Sequence, residues 1–172
     1  LFSTAMTFHI VSIFTAAGRT PSNAFSYFVP MAIIAVATNL LVSWLSDSIA
    51  MKPFLIIKLT AFICGTYGLL NLDHEYGYCI TVIGFGITTG IWGALNTLVF
   101  VRFFGRLYLG EISGINAAFS VFGSAIGPAF FSVVYDQFGS YGPAMLLSIA
   151  VLSLLLLTAI AIPQPEPIRV SA

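Results

Sequence analysis

Residues 78–103 read YCITVIGFGITTGIWGALNTLVFVRF, and the first charged side chain among them is Arg102. A bilayer core about 30 Å thick is crossed by about 20 apolar residues in helical form, so this stretch is long enough to span it. It lacks the polar/apolar alternation of a transmembrane barrel strand. Its small and polar residues fall instead at helical spacing. Gly86, Gly90, Gly93 and Thr97 share one face, and Thr81, Thr88, Trp92 and Asn96 share another.

Five further runs of the same character flank this one. They cover Leu1 to Gly18, Phe25 to Leu45, Pro53 to Leu72, Glu111 to Tyr135, and Pro143 to Ile162. Arg19-Thr20-Pro21-Ser22-Asn23, Asp47, Asp73-His74-Glu75, Asp136 and Pro163 separate or close them, as expected of turn-forming and polar residues. Six spans use roughly 120 residues and leave about 50 for connections. Composition agrees: 59% of the 172 residues are hydrophobic without counting glycine, and 7% are charged. A soluble domain is roughly 25% charged. Six basic and six acidic residues cannot wet a globule of this size. That excludes a soluble domain, a disordered chain and a nucleic-acid binder. The expectation is an all-α polytopic membrane protein, with one six-helix unit over 1–163. The proline-rich end from Pro163 cannot be helical, and residues 164–172 are expected to be a disordered tail. Leu1 opens directly into an apolar run with no initiator Met and no signal pattern, so the chain reads as a fragment or a processed piece.

The loops divide by charge. Lys52, Lys58, Arg102, Arg106 and Arg169 belong to one side; Asp73, Glu75 and Asp136 belong to the other, with Arg19 the single basic residue there. Basic residues gather on the cytoplasmic side of short loops, which puts both termini in the cytoplasm of a cell (inner or plasma) membrane protein. Lys58 is expected to snorkel toward that side.

Several faces carry information. The glycine face of the fourth span reads as a packing face, because small residues let helices approach in lipid. Gly123, Gly127 and Pro128 of the fifth span read as packing with a kink. Polar faces on membrane helices meet another helix or a wet cavity. Thr88, Trp92 and Asn96 on the fourth span, Asn116 on the fifth and His9 on the first are therefore candidates for a solute cavity. Interhelical hydrogen bonding is the alternative for each. Asn39, Ser43 and Ser46 form a polar line on the second span, while the last span carries only Ser148, Ser153 and Thr158 and reads as lipid-facing. Cys64 and Cys79 have no metal-site spacing and read as packing residues or free thiols. No phosphate loop, H-E-x-x-H pair or Ser/His/Asp set is present, so no enzyme, cofactor or metal is expected.

Ser43-Trp44-Leu45-Ser46-Asp47-Ser48-Ile49-Ala50-Met51-Lys52 resembles the degenerate second copy of the cytoplasmic loop motif of the major facilitator superfamily, G-x-L-a-D-r-x-G-r-k. Leu45, Asp47 and Lys52 match; Ser43, Ser48, Ala50 and Met51 depart. The segment from Arg102 to Gly114, with Gly123-Ser124-Ala125-Ile126-Gly127-Pro128 and Asp136-Gln137-Phe138-Gly139-Ser140-Tyr141, is similar to the tenth-to-twelfth helix region of the monocarboxylate and oxalate/formate antiporter branch. The arginine that this branch places in its eighth helix has no counterpart in the second span.

The resemblance implies a C-terminal half, helices seven to twelve of a twelve-helix secondary transporter, moving a small organic anion such as a monocarboxylate by alternating access. It implies as partners the missing N-terminal half or a second copy, with a proton or countersubstrate beside the solute. It puts the His9 helix and the Thr88, Trp92 and Asn96 helix against the cavity, and the Asn39 and Asn116 helices between the halves. Asp47 and Lys52 would latch the cytoplasmic side. Glu111 would join them or simply cap its helix. A self-contained six-helix channel or scaffold, acting as an oligomer, is the competing reading; no selectivity filter or ring of charge favours a channel.

Overall fold

The computed structural model of the chain describes residues 1–105 and 109–163, apart from the side chains of Thr97 and Phe104. Arg106 and the expected disordered tail, 164–172, lie outside the described residues. Among the described residues the fold is helical throughout. The elements are α1 (Phe2–Ala16), α2 (Pro21–Ser26), α3 (Phe28–Leu45), α4 (Met51–Leu70), α5 (Glu75–Phe104), α6 (Leu109–Phe138) and α7 (Gly142–Ala161). Five stretches are long and apolar enough to cross a membrane: Pro21–Leu45, Met51–Leu70, Glu75–Phe103, Leu109–Phe138 and Gly142–Ala161. The first run of the sequence forms a shorter helix of 15 residues.

Local chemistry sets the breaks. Gly18, at φ +76°, follows the last turn of α1. The Arg19 amide donates to Phe14 O (2.9 Å) and the Gly18 amide to Thr15 O (3.0 Å), which is the Schellman closure that favours glycine. Thr20 then caps α2, its Oγ1 accepting from the Asn23 amide at 3.3 Å, with Pro21 in the first helical position. The second span therefore starts earlier than its apolar content indicates, as two helices meeting at Tyr27. Helix α6 holds Pro128 within its length.

Helix α5 is the centre of the bundle, with α3 on one side and α4 on another; α7 packs on α4, and α6 packs chiefly on α1. Glycine makes both α5 contacts close. A Cβ on Gly86 would lie 2.7 Å from Ile34 Cβ, one on Gly90 2.5 Å from Ala35 O, and one on Gly93 2.7 Å from Asn39 Nδ2. Toward α4, a Cβ on Gly84 would lie 2.6 Å from both Ala61 O and Gly65 Cα, and one on Gly68 2.7 Å from Gly77 O. The second glycine face was not singled out from the sequence, although Gly77 and Gly84 are seven residues apart and so share a side of α5.

Two apolar clusters fill the remaining space. Phe2, Met6, Ile10 and Phe14 of α1 meet Val82, Phe85, Phe131, Tyr141 and Met145 in one; Val42, Met51, Phe54, Ile91 and Leu95 form the other. Much large apolar surface stays outside, including Val29, Ile33, Val36, Leu40 and Trp44 along α3, Phe119 and Phe122 on α6, and Leu154 and Leu157 on α7. Contiguous exposure on this scale is foreign to soluble monomers and compatible with an integral membrane protein.

The two glycine environments give a direct contrast. Gly84→Ala pushes a methyl into the backbone of α4, which cannot rotate away, and is expected to destabilise by about 1–3 kcal/mol. Gly114, in α6, has open space where its Cβ would be. Gly114→Ala is therefore expected to be neutral or stabilising by up to about 1 kcal/mol. Thermal unfolding of both variants in detergent checks the pair. Equal midpoints would mean that α4 and α5 do not need the close approach.

Candidate functional site

Among the described residues the charged side chains other than Lys58 gather toward the two poles of the bundle. At one, Arg19 donates to the carbonyls of Leu72 and His74, pairs with Glu75 at 3.2 Å and lies 5.3 Å from the Tyr78 ring centre. At the other, Arg102 Nη1 donates to Ser46 O (2.6 Å), at the end of α3, and Lys52 Nζ donates to Ile160 O and Ile162 O (2.8 Å each), at the end of α7. Cations on the last carbonyls of helices satisfy acceptors without intrahelical partners and oppose the negative end of the helix dipole. Lys52 thus holds α7 to the start of α4. Asp47 is exposed in the turn after α3, and Glu111 is exposed in the first turn of α6.

His9 sits among α1, α6 and α7. Its Nε2 is 3.1 Å from Pro128 O and its Nδ1 is 3.2 Å from the Tyr141 hydroxyl, which is also 3.0 Å from Ser12 Oγ. The ring stacks on Phe131 with centroids 6.1 Å apart. Pro128 O can only accept, so Nε2 carries the proton and donates to it, and the Tyr141 hydroxyl bridges Nδ1 and Ser12 Oγ. Both ring nitrogens are thereby occupied, so His9 joins helices instead of presenting an open group. Close by, Thr4 Oγ1 donates to Ser124 Oγ (3.1 Å), and Gly127 faces the backbone of Leu1, which its Cβ would meet. Gly123 lies on the same contact, its Cβ position 3.6 Å from Leu1 Cβ.

The polar face of α5 divides in two. Thr81 and Thr88 are buried under α4, and each donates to the carbonyl four residues earlier, at 2.8 and 2.7 Å. Each also approaches an α4 carbonyl at 3.4 Å, Gly65 O and Lys58 O respectively. Thr88 is 7% exposed, and the glycine contact brings α4 over it. Further along α5 the same face is open. Trp92 is 44% exposed, and Asn96 is exposed with its Oδ1 accepting from Asn116 Nδ2 of α6 at 3.2 Å. Lys58 of α4 completes the group, its Nζ lying 4.2 Å from the Trp92 ring centre. Lys58 reaches from the level of Thr88 to Trp92, one turn nearer the pole that holds Arg102 and the start of α4.

Two interhelical contacts thus lie one turn apart along α5, Lys58 of α4 against Trp92 and Asn116 of α6 against Asn96. A cation–π contact is worth about 0.5–2 kcal/mol. A lysine at the centre of a membrane helix costs roughly 2.5–3.5 kcal/mol on insertion scales. The indole alone does not offset that cost, which leaves room for a further partner of Lys58. The pairing of Lys58 with Trp92 crosses between helices and left no signal in the sequence; the Asn96–Asn116 pair was visible only as two separate polar positions.

Comparison of the chain with known protein families, with curated proteins and with solved structures gives no match in any of the three.

The His9 network has a measurable consequence. Tyr141→Phe leaves Nδ1 without its donor and is expected to lower stability by about 1–3 kcal/mol. His9→Ala is expected to cost at least as much, since it removes both bonds and the stack. Thermal midpoints in detergent are the measurement. Wild-type stability in both variants would detach the network from the packing of α1.

Proposed function

We propose that this chain is one six-span half of a secondary active transporter of the major facilitator type, moving a small organic anion by alternating access between two halves. The observation that carries the reading is the open polar group formed by Lys58, Trp92, Asn96 and Asn116 on helices that are otherwise apolar. Polar and ionisable groups on helices of membrane length mark solute or ion pathways. A site near mid-span, shared between two halves, is where such transporters bind. The resemblance of the loop around Asp47 and Lys52 supports the same reading. So do the tightly packed α3, α4 and α5, which would move as one body. The second half is either a further stretch of the same polypeptide or a second copy of this chain. The shorter helix α1 is the sixth span of this half.

In this reading Asp47, exposed beyond the end of α3, belongs to the contact that forms and breaks on the cytoplasmic side. Lys52, which caps α7, sets the helix ends that carry this contact. Asp47→Asn is expected to slow transport several-fold while leaving insertion and stability unchanged.

Counterflow into proteoliposomes that hold the chain together with its second half tests the function. Vesicles loaded with unlabelled lactate or oxalate should take up the labelled anion saturably, and the sodium ionophore monensin should leave a pure exchange unaffected. Conductance at channel rates would favour the oligomeric channel, and absence of both would remove the transport reading. Orientation is tested separately. A cysteine placed at residue 172, in a background without Cys64 and Cys79, should react with a membrane-impermeant maleimide only after the cells are opened. Reaction in intact cells would reverse the topology.

A further inference from the structure

We propose that Lys58 is the group that holds the charge of the anion, with Trp92, Asn96 and Asn116 completing this chain's share of a carboxylate site; the inference rests on the transporter reading and adds to it the residue that recognises the solute. Among the described residues, Lys58 is the one charged side chain seated well inside a helix, seven positions past Met51. The other described cations are engaged at the poles. Arg19 is paired with Glu75, and Arg102 and Lys52 sit on the last carbonyls of α3 and α7. Helices α1, α3, α4 and α7 contain no Asp or Glu, and those of α5 and α6 (Glu75, Glu111 and Asp136) stand near helix ends. Among the described residues no carboxylate is therefore offered to Lys58 at its own level, and its ammonium rests on an indole.

A cation over a ring is held from one side. The N–H donors turned away from the ring remain to be directed at an acceptor. Asn96 lies one turn beyond Trp92, and its bond with Asn116 uses one acceptor and one donor of the two amides. Their remaining N–H groups point to the same requirement: an acceptor with several lone pairs and a negative charge. A carboxylate meets it, and the exposed indole gives the apolar part of a small organic acid a surface to lie on. A cationic solute would face Lys58 with no opposing carboxylate. On arrival, the anion exchanges the cation–π contact of Lys58 for an ion pair, which changes the surroundings of Trp92.

That change supplies the test. The chain has two tryptophans, so Trp44→Phe leaves Trp92 as the single emitter. The purified variant in nanodiscs is titrated with sodium acetate, sodium lactate and sodium oxalate, against sodium chloride at equal ionic strength. At least one carboxylate should shift Trp92 emission saturably. Lys58→Met should abolish the shift or raise its midpoint at least tenfold, and Lys58→Arg should retain it. Should Lys58→Met fail to fold by circular dichroism and gel filtration, the unsubstituted chain is acetylated with sulfo-NHS-acetate with and without the anion, and Lys58 is read by peptide mass spectrometry. Protection by the carboxylate supports the site. The inference is overturned by a saturable shift unchanged in Lys58→Met, by no shift with any of the three anions, or by acetylation indifferent to them. The two readings separate cleanly. A Lys58-dependent shift without counterflow removes transport and keeps the site, whereas counterflow with unchanged half-saturation in Lys58→Met removes the site and keeps transport.

Discussion

Everything in the bundle depends on how closely α5 approaches its two neighbours. At Gly84 and Gly65 the backbones of α5 and α4 are in contact, and at Gly90 the α5 backbone meets Ala35 and Thr38 of α3. In lipid there is no hydrophobic force between helices, so association comes from packing and interhelical hydrogen bonds at short range. Glycine supplies both. It removes the side chain that would hold the backbones apart, and it exposes carbonyls to bonds such as that from Asn39 Nδ2 to Gly90 O at 3.1 Å. The burial of Thr81 and Thr88 follows from that approach, whereas Trp92 and Asn96 on the same face of α5 stay exposed.

The polar groups of the structure fall into two kinds. Those at the poles bind helices to each other, with Arg102 and Lys52 on terminal carbonyls and Arg19 linking the end of α1 to the turn before α5. His9 belongs with them in effect, although it lies within α1, because its two nitrogens and its ring face tie three helices. Lys58 is of the second kind. Its ammonium is supported by an aromatic ring and by nothing anionic among the described residues.

Helix existence, the order of the apolar runs and the charge division between the poles were legible in the sequence alone. Run length, the absence of alternation and the position of twelve charges carry that information without any knowledge of neighbours. The packing role of Gly86, Gly90 and Gly93 was legible too, since helical spacing puts them on one face. Less was legible where an outcome depended on capping. Thr20 and Pro21 started a helix before the apolar run began, and the first run formed a 15-residue helix ending at a glycine closure.

Of the candidate positions, the sequence could mark His9, Thr88, Trp92, Asn96 and Asn116 as polar residues on apolar helices, because composition and period suffice for that. Which of them met another helix and which stayed open was decided by tertiary structure. Thr88 and Trp92 share one face of α5, yet α4 covers the first and leaves the second 44% exposed. His9 found Pro128 and Tyr141, each more than one hundred positions away in the chain. Lys58 found Trp92 across a helix pair. The physical reason is the same each time. A side chain's face is set by its own helix and can be counted along the sequence. Its partner depends on how closely two helices pack, and that is a property of both helices together.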